Sequence, residues 1–171
     1  MKRLITIITL IMAIISPCVA DSPVFIEKMV NDPNVTVTYI SQAMLENKKY
    51  KDMMARLPIS SKDARFEVVQ IFNCQSQASS SVARDYVNEY VKEKTSESER
   101  VNAEYGKILQ SKPQLLMKSA SGKTNTLIYG FYKFKDSYYF DQIIILMTEN
   151  KMTTLIDMKG YFPVRSLIIG N

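Results

Sequence analysis

The chain has 171 residues, 46% of them hydrophobic, with 22 basic and 17 acidic side chains and no histidine. The net charge is +5, two units of it from Lys2 and Arg3, and what remains is too small, with no basic stripe interleaved with aromatic residues, to argue for nucleic-acid binding. The lack of histidine excludes Ser-His-Asp and Cys-His catalysis, histidine-ligated metals and the usual proton shuttle near neutral pH.

Met1-Lys2-Arg3 precedes an uncharged, mainly apolar run from Leu4 to Ile15. This basic-then-apolar order has the form of a secretory signal. The run is shorter than the roughly 20 residues a helix needs to span a bilayer. Pro17 breaks it, and Cys18-Val19-Ala20 supplies small residues before Asp21. Cleavage after Ala20 is expected, with 1–20 a signal peptide and 21–171 one domain. The protein is then exported, to the periplasm or beyond. Cys18 offers a second reading, lipidation and anchoring to the outer membrane. A lipoprotein signal carries a small residue before the cysteine, and here that residue is Pro17. A free protein starting at Asp21 is therefore favoured.

Without residues 1–20 the chain keeps 20 basic and 17 acidic residues, a net charge of +3, and Cys74 is its one cysteine. It makes no internal disulfide and offers no thiolate cluster to zinc or iron–sulfur, so a hydrophobic core must hold it. No second apolar run reaches transmembrane length.

The first element in chain order is a short helix with Phe25, Ile26, Met29 and Val30 on one face, ended by Asn31-Asp32-Pro33-Asn34. Val35 to Ile40 is β-branched and alternating, a strand. Ser41 can cap a helix carrying Met44 and Leu45, extending toward Met53 and Met54 and stopped at Leu57-Pro58. Phe66 to Cys74 is a second strand with Phe66, Val68 and Phe72 on one face and Val69 and Ile71 on the other. Apolar on both sides, it is expected to be central. Ser79-Ser80-Ser81 starts a helix followed by Val82, Tyr86, Val87, Tyr90 and Val91 at helical spacing. Lys92 to Arg100 has no apolar residue and is either a solvated stretch of helix or a loop between two helices. Val101, Tyr105, Ile108 and Leu109 resume the stripe, and Lys112-Pro113 closes the helical half.

From Leu115 the period changes to two. Leu115 to Ser119, Thr126 to Phe134, Tyr138 to Thr148 and Met152 to Met158 read as strands joined by short polar turns, hence antiparallel hairpins. Pro163 to Leu167 is expected to form a short turn or helix. The fold class is α+β: a mainly antiparallel sheet ending in a β-meander, with helices packed on one face.

The leader, Phe25-Ile26-Glu27-Lys28 and the stretch "VTVTYISQAML" together resemble a family of exported proteins of Bacteroidota catalogued as a domain of unknown function. In that family a short amphipathic helix leads into a Val-Thr-rich strand, a turn and a Met/Leu helix. A second strand, a long helix and a C-terminal meander follow. The resemblance spans roughly residues 24 to 170. It implies an envelope location and a helix-plus-meander fold, often lipid-anchored, and it implies no catalytic residues.

Four features invite chemistry. "SGKT" at 121–124 is a Gly-Lys turn between strands, because a phosphate loop would need a glycine where Met117 stands. Cys74 is a candidate reactive thiol if a cation or helix N-terminus lowers its pKa; a cysteine ending an apolar strand is otherwise a small buried residue. Glu97 with Glu99, and Asp136 with Asp141, are carboxylate pairs, yet glycosidase chemistry needs two carboxylates about 5 to 9 Å apart in a cleft. The fourth is aromatic: Tyr129, Phe131, Tyr132, Phe134, Tyr138, Tyr139 and Phe140 crowd one hairpin around Gly130. Strand alternation prevents adjacent Tyr138 and Tyr139 from sharing one face. Tyr132, Tyr138 and Tyr139 are therefore candidate binding residues. No catalytic residue, metal or cofactor is expected. The reading is a non-enzymatic exported envelope protein that binds another envelope protein or surface component through this hairpin or a sheet edge. The alternatives are a thiol-dependent enzyme built on Cys74 and a small-molecule or lipid carrier.

Overall fold

The computed structural model describes residues 23–169 apart from 46, 62, 107–109, 133, 135 and 136. The expected signal peptide and Cys18 lie outside the described residues, as does Asp136.

Six antiparallel strands form one sheet in the order β1-β3-β7-β6-β5-β4. They are β1 (Val35–Ser41), β3 (Arg65–Cys74), β4 (Gln114–Ser121), β5 (Thr124–Phe131), β6 (Tyr139–Glu149) and β7 (Met152–Pro163). The last four make the meander, and β3 then pairs with β7 and β1 with β3. The α+β class with an antiparallel sheet ending in a meander is what the chain adopts.

One face lies under α1 (Pro23–Val30) and the long α4 (Gln77–Tyr105). There Phe25, Met29, Tyr86, Val87 and Tyr90 pack on Phe72, Phe131, Ile144, Leu146 and Leu155. The strands are apolar on both sides, however: Ile143 and Ile145 point away from Ile144 and Leu146. Each such side chain left in water would forgo roughly 1.5–3 kcal/mol. The second face is accordingly covered by the short helices α2 (Gln42–Leu45) and α3 (Lys48–Met54), through Leu45 and Met54, and by Leu57 and Ile59. Asn47 separates α2 from α3, and its side chain accepts the Lys49 N–H at 3.0 Å as an N-cap. Ile59 begins β2 (Ile59–Ser61), which pairs with β8 (Leu167–Ile169) after a 3-10 turn at Val164–Ser166.

The helix α4 begins two residues before the serine run. Ser76 accepts the Ser79 N–H at 3.0 Å while Ser79 Oγ accepts the Ser76 N–H at 3.3 Å, a reciprocal cap. The helix then continues unbroken through Lys92 to Arg100, with neither glycine nor proline to stop it before Gly106, which ends it at φ +63°. The polar stretch has a structural use. Ser98 Oγ donates to the Gln110 carbonyl at 2.8 Å, and Asn102 both donates to that carbonyl and accepts the Gln110 N–H, each at 3.0 Å. These bonds clasp the returning chain to the helix. Lys94–Glu97, half-buried, and Arg100–Glu104, exposed, add ion pairs along the helix, the exposed one worth a few tenths of a kcal/mol at most.

Gly160 is where the sheet bends. The β3–β7 register shifts between Phe66 and Val68, opposite Gly160, and the β6–β7 register shifts between Phe140 and Gln142. Gly160 holds φ +155°, and a Cβ there would fall on the Arg65 carbonyl oxygen. The bulge reverses the face of everything beyond it. Phe66 therefore packs edge-on to Phe162, ring centroids 5.3 Å apart, in the cluster of Val69 and Ile71 rather than on the side of Phe72.

Candidate functional site

Strand β5 delivers Phe131 and Tyr132 to the end of the sheet where β6 begins and β7 finishes. The clasped segment around Gln110 and the middle of α4 stand over the same end. A cleft of about 240 Å³ opens between them, lined by Tyr90, Lys94, Tyr132, Asp141, Gln142 and Lys159 among others.

A buried polar chain forms its floor. Tyr90 Oη donates to Gln142 Oε1 at 2.9 Å, and Gln142 Nε2 donates to Asp157 Oδ1 at 2.8 Å. Gln142 and Asp157 are 6% and 3% exposed, so these bonds replace lost hydration. Lys94 Nζ lies 5.6 Å from the centroid of the Tyr90 ring, a cation–π distance. Tyr132 is half-buried at the rim, packs on Phe140 with ring centroids 4.3 Å apart, and donates to Gln114 Oε1 at 3.2 Å. Burial pushes its phenol pKa up, so the group stays a neutral donor. The cleft presents donors, acceptors and charges of both signs, with the Ser111 hydroxyl among its lining groups.

Outside the cleft stands an aromatic ridge. Tyr138 is 76% exposed and Phe134 60%, and Tyr161, also exposed, lines one notch with Tyr138. Tyr139 is half-buried and rests on Tyr161, ring centroids 4.5 Å apart. Tyr138, Tyr161, Pro163 and Arg165 enclose a shallow notch of about 230 Å³. Tyr138 precedes the first residue of β6, and its carbonyl accepts the Val164 N–H at 3.0 Å, so the backbone is anchored while the ring is exposed. The adjacent tyrosines do diverge: Tyr139 leans on the sheet and Tyr138 points outward.

Other candidate residues lie elsewhere. Cys74 is buried at the far end of β3, in the core beneath α1 and α4. Desolvation, with a smaller push from the Asp32 carboxylate and a partial offset from a Ser79 hydrogen bond, raises its thiol pKa to about 11. A nucleophile needs the opposite shift. Glu97 pairs with Lys94 at the edge of the cleft, and Glu99 pairs with Lys112 at the surface. Asp141 lines the cleft, and its sequence partner Asp136 lies outside the described residues. Residues 121–124 form the two-residue β4–β5 turn, with Gly122 at φ +58°. Among the described residues no three His, Cys, Asp or Glu side chains gather to hold a metal, and no helix is long and apolar enough to cross a membrane.

The Tyr90–Gln142–Asp157 chain has no signature in the sequence. Its members come from three elements, and each alone looks like an ordinary helix or strand residue. A glutamine and an aspartate beside the apolar runs of β6 and β7 are the only sequence signal.

Comparisons with protein-family models, with characterised proteins and with solved structures gave no match.

Proposed function

We propose that the protein is a non-enzymatic exported envelope protein that binds another envelope protein or surface component through the aromatic end of its sheet. The observation that carries this reading is the outward ring of Tyr138 on an anchored backbone, lining one notch with Tyr161. Most of the other rings of this hairpin are packed into the core or half-buried. Exposed tyrosines supply large contact area with little rotamer entropy to lose, which is why they concentrate in binding patches. The cleft behind the ridge lies below the usual 300–1,000 Å³ of small-molecule sites, and its polar lining suits a partner's side chain better than a lipid. The sheet edge is the weaker surface. The edge strand β4 exposes Leu115 but carries a register shift between Leu115 and Met117 and then Lys118, devices that discourage strand addition. Burial of Cys74 and its raised pKa weigh against the thiol enzyme.

A photocrosslinking residue placed at Tyr138 in the native envelope tests this. A discrete adduct from that position, absent when the same residue replaces Lys118, supports the reading. Identical adducts from both positions, or none from Tyr138, would refute it. The intact mass of the mature chain tests the location: a start at Asp21 is expected, and a lipid-bearing Cys18 would replace the free protein by an anchored one.

A further inference from the structure

The opposite end of the sheet carries a different surface. There the β4–β5 turn (Gly122, Lys123) and the β6–β7 turn (Asn150, Lys151) meet the first two turns of α4. Gln77 and Arg84, seven residues apart and so on one helix face, complete an open basin of about 540 Å³. Arg84, Lys123 and Lys151 line it from three separate elements, and among the described residues no carboxylate does. Its other lining groups, Gln77, Asn125, Thr148 and Asn150, are amides and a hydroxyl, able to donate hydrogen bonds.

None of the three cations makes an ion pair among the described residues. The nearby acids are directed elsewhere. Asp85 accepts from the Ser81 hydroxyl at 3.4 Å and lines the notch beside α1. Glu149 lines a separate notch with Asn73, Met147 and Met152. Lys151 also occupies φ +71°, a left-handed position of the turn that glycine fills with less strain. A charge is thus held at a conformational cost, beside two others that repel it. The positive end of the α4 dipole points to the same region and adds to the field.

We infer that this basin binds a multiply charged phosphoryl anion. The two lysines act as point charges, Arg84 supplies a planar fork, and the amide and hydroxyl groups complete the oxygen contacts. The same chemistry is offered by a soluble phosphate ester and by the headgroup phosphates of a membrane lipid. This site is separate from the aromatic ridge and does not rest on the function proposed for it.

Titration calorimetry of the purified protein with inorganic pyrophosphate is the test, together with co-sedimentation on phosphatidylcholine vesicles with and without phosphatidylglycerol. Pyrophosphate is expected to bind, more weakly as salt rises past about 0.1 M, where charges are screened within about 10 Å. The pair Lys123→Ala and Lys151→Gly should weaken it at least about tenfold, since two charge-assisted contacts are lost and the glycine suits the turn. Lys118→Ala, on the same hairpin but outside the basin, should leave binding unchanged. Binding of pyrophosphate without vesicle sedimentation assigns a soluble anion. Sedimentation with phosphatidylglycerol vesicles that pyrophosphate reverses assigns a headgroup. Binding of neither probe, or equal losses in Lys118→Ala and the basin pair, would overturn the inference.

Discussion

The ring of Phe140 fills the space that a side chain on Gly130 would need: a Cβ at Gly130 would lie 2.6 Å from two of its ring carbons. Phe140 is fully buried, so the ring has nowhere to retreat without opening the core beneath Tyr132. Gly130→Ala is expected to destabilise the protein by about 1–3 kcal/mol through overpacking, read as a lower urea midpoint at unchanged slope. Phe140→Leu should cost a similar amount alone and much less in the Gly130→Ala background, because the leucine vacates that space. Additive losses would show that the two residues do not compete for it.

The aromatic ridge separates binding from folding. Tyr138→Ala should change stability by no more than about 0.5 kcal/mol, since the ring is solvated. Tyr139→Ala breaks the contact with Tyr161 and should cost roughly 1 kcal/mol. Loss of the Tyr138 crosslinked partner by a variant that melts normally is the expected pattern. A Tyr138→Ala variant that unfolds would remove the ridge from the surface.

Cys74 ties stability to alkaline pH. Its folded pKa, about 11, lies above the ordinary thiol value of 9.0. Between these values the unfolded chain releases the proton and the folded chain keeps it, so stability falls as pH rises. The loss is on the order of 2–3 kcal/mol across that window and is absent below it. Cys74→Ala should flatten this part of the curve, measured by urea unfolding at several pH values. Native protein at pH 8 should react with a thiol reagent far more slowly than unfolded protein; rapid native labelling would restore Cys74 as a reactive thiol.

Tyr90→Phe removes one hydroxyl and leaves Gln142 Oε1 without that donor in a buried site. The expected cost is about 1–2 kcal/mol. The change should also loosen the cleft, seen as faster amide exchange in β6 near Gln142. An unchanged melting temperature would mean that water replaces the hydroxyl.

Lys151→Gly alone should raise stability by about 0.5–1 kcal/mol, because φ +71° strains a lysine and not a glycine. Thermal unfolding checks this. The same substitution weakens anion binding, so stability and affinity should move in opposite directions.

The meander was legible because its signals are local. Short polar turns between alternating strands specify hairpins, and β4 to β7 pair through them. The strand β7 nevertheless runs on to Pro163, beyond the expected end at Met158, because its last residues pair with Arg65 and Phe66 of β3 as well as with Tyr139 and Phe140 of its hairpin neighbour β6. The pairing of β2 with β8 joins three-residue segments from distant parts of the chain, too short to carry any alternation of their own. The side taken by Phe66 was misread for a related reason: alternation is counted along one strand, whereas the bulge depends on Gly160 in its neighbour.

By itself the sequence determined the class of fold, the turns of the meander, the central place of the second strand, and the absence of histidine chemistry. Each follows from residue type and from spacing over a few neighbours. Tertiary structure alone decided which tyrosine faces outward, that Cys74 is sealed in the core, and that Tyr90, Gln142 and Asp157 join in one hydrogen-bonded chain. It also decided that Arg84, Lys123 and Lys151 share one basin. Those outcomes depend on register, bulges and the crossing of α4 over the sheet, which bring together groups that no local spacing relates.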